Sequence, residues 1–262
     1  MVTIDNYVRV QSLEEAYELN SAKTSRIIGG MLWIKQSNNK IKTAIDLSDL
    51  GLDKIEEDEN QFSIGCMATL RDIELNESLN EYTNNSIRNS VKDIVGVQFR
   101  NMATVGGSIW GRFGFSDVLT VFLTLDSYVE LYKGGIIPIS EFVNMKRDND
   151  ILVRIIVKKT PIKVAYSSVR NQRTDFPVLT CSTSVSDGMY KVSIGARPDK
   201  AMLITDNKIL AGGINEENVK VFAEYVANNI PTSSNLRGSS EYRTHLIKVL
   251  TERNIKNMEG IS

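Results

Sequence analysis

Histidine occurs once and cysteine twice in the 262 residues. The two thiols, Cys66 and Cys181, lie far apart in apolar or small-residue surroundings. They are too few for a tetrahedral cysteine site or for the cysteine quartet that holds an iron–sulfur cluster. A disulfide between them would be unusual in a cytosolic chain, so they read as inert, buried thiols. His245 sits in Tyr242-Arg243-Thr244-His245-Leu246, a surface-like helical stretch, which gives Ser–His–Asp catalysis no support. An excess of either charge is also missing. The 31 basic and 32 acidic residues give a formal net charge of −1, which removes the sequence-independent attraction that nucleic-acid binders use. No apolar run approaches the roughly 20 residues needed to span a bilayer. The best stretch, Val118 to Leu125, is interrupted by Thr120 and Thr124. Met1 to Val10 carries Asp5 and Arg9 and lacks the apolar core of a signal peptide. The expectation is a soluble, cytoplasmic protein with no catalytic acid or base and no metal site of its own.

What is present is globular. With 42% hydrophobic and 24% charged residues the chain is too apolar and too neutral for disorder. Its length fits one large domain or two ordinary ones. Tyr7 to Val10 reads as a short strand, and Ser12 with Glu15 forms a capping box that opens a helix running to Ala22. Arg26-Ile27-Ile28 is a β-type run ending at Gly29-Gly30; a helical turn over Met31 to Gln36 and a strand at Ala44 to Leu47 follow. That order suggests a small α/β unit with parallel pairing. Asp53 to Asn60 is acidic and reads as a solvated connection, Phe62 to Gly65 as a strand, and Thr69 caps a helix with Asp72 in its first turn. Helices are expected over Asn84 to Val95 and Val118 to Leu125, and strands over Tyr128 to Tyr132 and Ile151 to Val157. Lys163 to Arg170, Val178 to Val185 and Tyr190 to Ala196 read as a three-stranded antiparallel meander with a hairpin turn at Asp187-Gly188. Helices over Asn215 to Asn229 and Ser239 to Asn254 complete the chain, the last presenting Tyr242, Leu246, Val249 and Leu250 on one face. The tone changes near residue 162.

Two glycine doublets leave apolar β-type runs: Ile27-Ile28-Gly29-Gly30-Met31-Leu32-Trp33 and Ala103-Thr104-Val105-Gly106-Gly107-Ser108. A phosphate needs main-chain N–H groups converging on a concavity, and glycine lets the chain approach closely. Thr104 and Ser108 add hydroxyls to the second doublet, and two such loops suit two linked phosphates. A doublet alone is usually an ordinary turn, as Gly134-Gly135 and Gly212-Gly213 are. Neither is a Walker loop or a three-glycine dinucleotide fingerprint. The residues by themselves reach anion-binding loops and go no further.

The order of the pieces resembles the FAD-binding medium subunit of molybdenum hydroxylases, a family that serves xanthine dehydrogenase, carbon monoxide dehydrogenase and nicotinate dehydrogenase. The matching segments are Ile28-Gly29-Gly30, Ile64 to Ile73, Gln98 to Ser108 with its Arg100-Asn101 and Thr104-Val105-Gly106-Gly107-Ser108, Asp117, Val169 to Asp175, and Glu241 to Leu246. The resemblance implies an α+β fold: a two-subdomain FAD-binding domain of the vanillyl-alcohol-oxidase (PCMH) type over residues 1–161, split near residue 55, and a C-terminal domain of a three-stranded antiparallel sheet with helices over 162–262. It implies that Ile27 to Trp33 and Thr104 to Ser108 wrap the FAD pyrophosphate, and that Asp117 bonds a sugar or ribityl hydroxyl. Asp117 could equally cap the helix at Val118, with both roles compatible. Ile94 and Leu152 match positions lining the adenine or flavin pocket; without the resemblance they read as plain core. Tyr166 stacks beside the ring or is an ordinary core or surface tyrosine. By the same resemblance FAD takes electrons from [2Fe–2S] clusters on a small partner subunit, served by a molybdopterin large subunit in a hetero-oligomer, and passes them to NAD or another acceptor. A nucleotide-binding or scaffold module without redox function is the alternative. Two departures stand out: Ser167 replaces the lysine or arginine that relatives often place near the flavin, and Trp110-Gly111-Arg112-Phe113-Gly114-Phe115-Ser116 replaces a run of small residues.

Overall fold

The computed structural model describes residues 1–260. Strand β1 (Thr3–Arg9), helix α1 (Leu13–Asn20), β2 (Ser25–Ile28) and β3 (Lys40–Asp46) open the chain. Then come β4 (Ile55–Glu57), β5 (Gln61–Gly65), α2 (Leu70–Leu75), α3 (Glu77–Tyr82), α4 (Ser86–Val91), α5 (Val97–Arg100), α6 (Val105–Gly111) and α7 (Asp117–Phe122). After them run β6 (Ser127–Leu131), β7 (Gly135–Pro138), α8 (Ile139–Phe142), β8 (Leu152–Lys158), β9 (Lys163–Arg170), β10 (Pro177–Ser186), β11 (Met189–Gly195), β12 (Met202–Asp206), α9 (Glu216–Asn229) and α10 (Ser240–Glu259). They gather into two compact units that do not follow a single cut near residue 162. The first unit takes Met1–Ile73, Val97–Gly111 and Ser127–Lys158; the second takes Glu74–Gly96, Arg112–Asp126 and the chain from Lys159 onward.

In the first unit, β1, β3 and β2 form a parallel sheet in the order β1-β3-β2, the α/β unit that the sequence suggests. Its Ser12 capping box is formed: Ser12 accepts the Glu15 N–H at 3.1 Å, and the Glu15 carboxylate reaches back to the N–H of Gln11 at 2.8 Å. The connection from β2 to β3 leaves the carboxyl edge of the sheet, where open α/β sheets bind ligands. A second, five-stranded sheet runs β4-β5-β8-β6-β7, antiparallel throughout. Its edge strand β4 lies inside the acidic stretch read as a solvated connection. Glu56 and Glu57 are exposed there, and charge on an edge strand protects it from pairing with another chain.

In the second unit the antiparallel sheet runs β12-β11-β10-β9, four strands where the sequence suggests three. The fourth, β12, is short and half-exposed, so it lacks the apolar alternation that marks its neighbours. Asp187 and Gly188 both adopt positive φ, 47° and 71°, as a two-residue hairpin turn requires. Strand β10 is buried along its first eight residues. Thr180 meets Thr120 of α7 at 3.0 Å and Ser182 meets Thr124, just beyond that helix, at 2.7 Å, while Cys181 faces Thr251 and Asn254 of α10. Buried hydroxyls are costly unless bonded, and these hydroxyls bond each other. The helix expected over Asn84 to Val95 contracts to Ser86–Val91, because Asn84, Asn85 and Val95 take positive φ. No helix among the described residues is long and apolar enough to cross a membrane.

Candidate functional site

Ile27 and Ile28 end β2, and Ile28 is buried in a small core with Ile41 and Ala44, against which Met31 and Ile34 pack. At Gly29 the chain leaves the sheet. Met31 adopts a left-handed φ of 59°, and the chain then tightens: Lys35 donates to Met31 O at 2.9 Å and Gln36 to Trp33 O at 3.2 Å. Among the described residues, the main-chain N–H groups of Gly29, Gly30, Met31 and Leu32 donate to nothing in the fold. Successive N–H groups in such a turn make an anion-binding concavity. Leu32 is buried and Trp33 is exposed.

The second doublet is built differently. Val105 N–H donates to Ala68 O at 2.8 Å, Gly106 N–H to Cys66 O at 2.9 Å, and Ser108 N–H to Thr104 O at 3.1 Å. Gly107 N–H donates to Thr104 Oγ1 at 3.1 Å, which makes Thr104 the cap of α6, and the Ser108 hydroxyl donates to Thr104 O at 3.2 Å. The donors expected to face a phosphate from Val105 to Ser108 are therefore engaged within the protein, and the Val105 side chain is fully buried. Their glycines answer to packing. A Cβ added at Gly106 would lie 2.5 Å from Cys66 O.

The two doublets nevertheless meet. A Cβ at Gly30 would lie 1.7 Å from Met102 O, and one at Gly29 would lie 2.6 Å from Thr104 Oγ1. One at Gly107 would lie 2.9 Å from the same hydroxyl, which thus stands between the doublets. Met102, whose carbonyl forms this wall, carries no signal in the sequence beyond its place before the Thr-Val-Gly-Gly-Ser run.

The second unit holds Asp117, Tyr166 and Ile94. Ser116, one residue earlier than expected, caps α7 by accepting the Leu119 N–H at 3.1 Å, which leaves the buried Asp117 carboxylate for other work. Its Oδ1 accepts the Tyr166 hydroxyl at 2.5 Å and the Arg170 guanidinium. Burial pushes the Asp117 carboxyl up to about 6, with Arg170 and then Tyr166 pulling it back, while burial raises the Tyr166 hydroxyl well above its ordinary range. Arg170, about as buried as Asp117, completes this cluster and is the member that the sequence does not single out. It sits within a family segment, but only the fold brings residues 117 and 170 together. Ile94 follows α4, half-buried. Leu152 belongs to the first unit, buried opposite Leu131 in the ladder of β6 and β8.

Cys66 and Cys181 are free and buried, and burial pushes them up to about 12 and about 11, so both stay protonated and unreactive. No group of three or more histidine, cysteine or acidic side chains among the described residues could hold a metal ion.

Residues 2–160 match the family described as the FAD binding domain in molybdopterin dehydrogenase. The uncharacterised protein YgfM of Escherichia coli K12 is 26% identical over 255 residues, covering 94% of this chain and 93% of that protein. The glyceraldehyde dehydrogenase medium chain of Sulfolobus acidocaldarius is 24% identical over 282 residues, covering 97% and 98%. In structure, the chain superposes on a chain of carbon monoxide dehydrogenase from Hydrogenophaga pseudoflava with a TM-score of 0.86, 18% identity and 99% of both chains covered. It superposes on quinoline 2-oxidoreductase from Pseudomonas putida 86 with a TM-score of 0.85, 16% identity, and 98% and 96% covered. With the family model matching well over half its length, this chain belongs to the FAD-binding, medium-subunit family of the molybdopterin dehydrogenases.

Proposed function

We propose that this chain is the electron-transfer flavoprotein subunit of a molybdopterin-dependent dehydrogenase, with the loop from Ile27 to Trp33 taking the FAD pyrophosphate and Thr104 to Ser108 walling it. The observation that carries the reading is the row of unengaged N–H groups from Gly29 to Leu32, closed off by the contact of Gly30 with Met102. A pyrophosphate needs donors and close main-chain approach, and this turn offers both. The second loop supplies shape, together with the Thr104 hydroxyl, whose own proton has no acceptor among the described residues. In the second unit, Asp117 accepts a sugar or ribityl hydroxyl, held in place by Tyr166 and Arg170. Tyr166 borders the ring, and Ile94 and Leu152 serve as apolar lining. When bound, FAD supplies single-electron and hydride chemistry, which couples [2Fe–2S] clusters of a small partner subunit, served by a molybdopterin large subunit, to NAD or another acceptor in the cytoplasm.

The test is the flavin content of the purified chain. The expected result is one FAD per chain, either carried through purification or taken up on titration. A folded chain that neither carries nor binds FAD overturns the reading. A chain that binds FAD but cannot exchange electrons through it favours the scaffold alternative, toward which the absence of a cation at Ser167 points.

A further inference from the structure

Strand β9 sets two kinds of side chain on its two faces. Tyr166, Ser168 and Arg170 alternate along it with Ala165, Ser167 and Val169. Tyr166 and Arg170 both reach Asp117 of α7, while Val169 packs on the core cluster that holds Phe222 of α9 and Ile247 of α10. Ser167 therefore lies on the face turned away from Asp117, and the positive charge beside that carboxylate is Arg170.

The Arg170 side chain is 8% exposed, that of Asp117 4%. Two of its three nitrogens are engaged: Nη2 donates to Asp117 Oδ1, and Nη1 donates to Asp175 O at 2.5 Å. Asp175 is fixed in turn, its N–H donating to Gln172 O at 3.1 Å and its Oδ1 accepting the Phe176 N–H at 2.7 Å. The third nitrogen, Nε, is buried and meets no acceptor among the described residues. A guanidinium keeps its protons at any ordinary pH, so this donor cannot be silenced by titration. A buried donor without an acceptor bears the full cost of leaving water. Beside it stands a carboxylate, which when ionised can only accept. An acceptor and an unmet donor side by side suit a group that both gives and takes hydrogen bonds. Two adjacent hydroxyls do this without competing for one oxygen.

We propose that Asp117 and Arg170 together bind a vicinal diol of the flavin nucleotide, one hydroxyl donating to the Asp117 carboxylate and its neighbour accepting from Arg170 Nε. Arg170 is then a specificity-determining residue that touches the ligand, beyond its hold on Asp117. The assignment rests on the flavin reading and extends it from one hydroxyl to a pair. The ribityl chain and the adenosine ribose of FAD both carry adjacent hydroxyls, whereas the flavin ring and the phosphates carry none.

The experiment is calorimetric titration of the full chain with FAD and with two pairs of probes, flavin content being measured on the same sample and any bound FAD displaced in competition. Riboflavin and lumiflavin share a ring and differ in its substituent, a ribityl chain or a methyl group. ADP and 2′-deoxy-ADP differ by one hydroxyl of the ribose diol. The expected result is that riboflavin or ADP binds at least about tenfold more tightly than its counterpart, because a site built to bond hydroxyls rejects analogues that lack them. Discrimination in the first pair assigns the ribityl chain, in the second the ribose. Arg170→Lys keeps a charge beside Asp117 without an Nε–H; it lowers that discrimination severalfold and leaves the hydroxyl-poor probe unaffected. Asp117→Leu combined with Arg170→Met puts apolar groups in place of the pair, a change that buried ion pairs often tolerate, and abolishes the discrimination. Equal binding within both pairs overturns the proposal, as does full discrimination in Arg170→Lys, which would leave Arg170 a support for Asp117 alone. Where the probes bind too weakly to titrate, FAD decides: affinity about tenfold lower in Arg170→Lys supports the diol, and unchanged affinity overturns it. Should Arg170→Lys fail to fold, the wild-type pairs and the double variant decide. A chain that binds FAD without discriminating within either pair loses the diol and keeps the flavin reading; a folded chain that binds no FAD loses both.

Discussion

Gly29-Gly30 and Gly106-Gly107 are the same dipeptide after similar apolar runs, yet their main chains are used differently. Around the first, four successive N–H groups face no partner in the fold. Around the second, the N–H groups of Val105, Gly106, Gly107 and Ser108 are all engaged within the protein. Glycine is required at Gly106 because the chain packs on Cys66, and at Gly30 because two loops touch main chain to main chain. The second unit differs from both. Its candidate residues, Asp117, Tyr166 and Arg170, act through side chains joined across roughly fifty residues of sequence. A glycine doublet is thus no statement of function until the fate of its N–H groups is known.

The contrast is broken most directly at Gly30. Gly30→Ala places a Cβ against Met102 O, so the loop must shift and its N–H row with it. FAD affinity should fall about a hundredfold or more, equivalent to about 2.7 kcal/mol or above, as read by flavin titration. Unchanged affinity would remove this turn from the site. Gly106→Ala sharpens the other side. Overpacking a buried contact costs about 1–3 kcal/mol, so denaturant melts should show lost stability, with flavin affinity falling less than in Gly30→Ala. The reverse ranking would show that the second doublet is the true phosphate contact. Thr104→Ala removes the α6 cap and should cost about 1 kcal/mol of stability, with a smaller loss of FAD affinity than Gly30→Ala. The smallest effect concerns pH. Asp117 holds its proton more tightly folded, with its carboxyl at about 6, than at its ordinary 3.8. Its contribution is therefore complete below about 3.8 and is lost as the pH rises through about 6. Melting temperatures of wild type relative to Asp117→Asn, which cannot titrate, should decline across that window, and a flat difference would contradict the assignment.

Much of the fold is legible because it is locally encoded. The Ser12 capping box, the Asp187-Gly188 turn and the strands of the meander each act within a few residues. The misses are of the opposite kind. Strand β4 exists because β5 lies beside it, and its acidic sequence contains no β signal. The helix from Asn84 is cut by two consecutive left-handed asparagines, a conformation that asparagine tolerates without announcing. For the site, both doublets are visible as motifs. What separates them is hydrogen bonding to Ala68 and Cys66, some forty residues earlier, which no local pattern carries.

The way the second unit is threaded has a consequence for synthesis on the ribosome. The first unit is complete once Lys158 has been made, but the second draws on Glu74–Gly96 and Arg112–Asp126 and is finished by α10, which ends at Glu259. Leu79, Ile87, Val91, Val118 and Phe122, all buried in the finished protein, must still wait, once Lys158 has been made, for roughly 100 further residues, about 5–20 seconds at about 5–20 residues per second. The carbonyls of Val178 and Ala196 wait likewise for Arg243. During that interval the nascent chain carries one finished body and the apolar segments of an unfinished one, which makes the last helix the step that ends its exposure to aggregation.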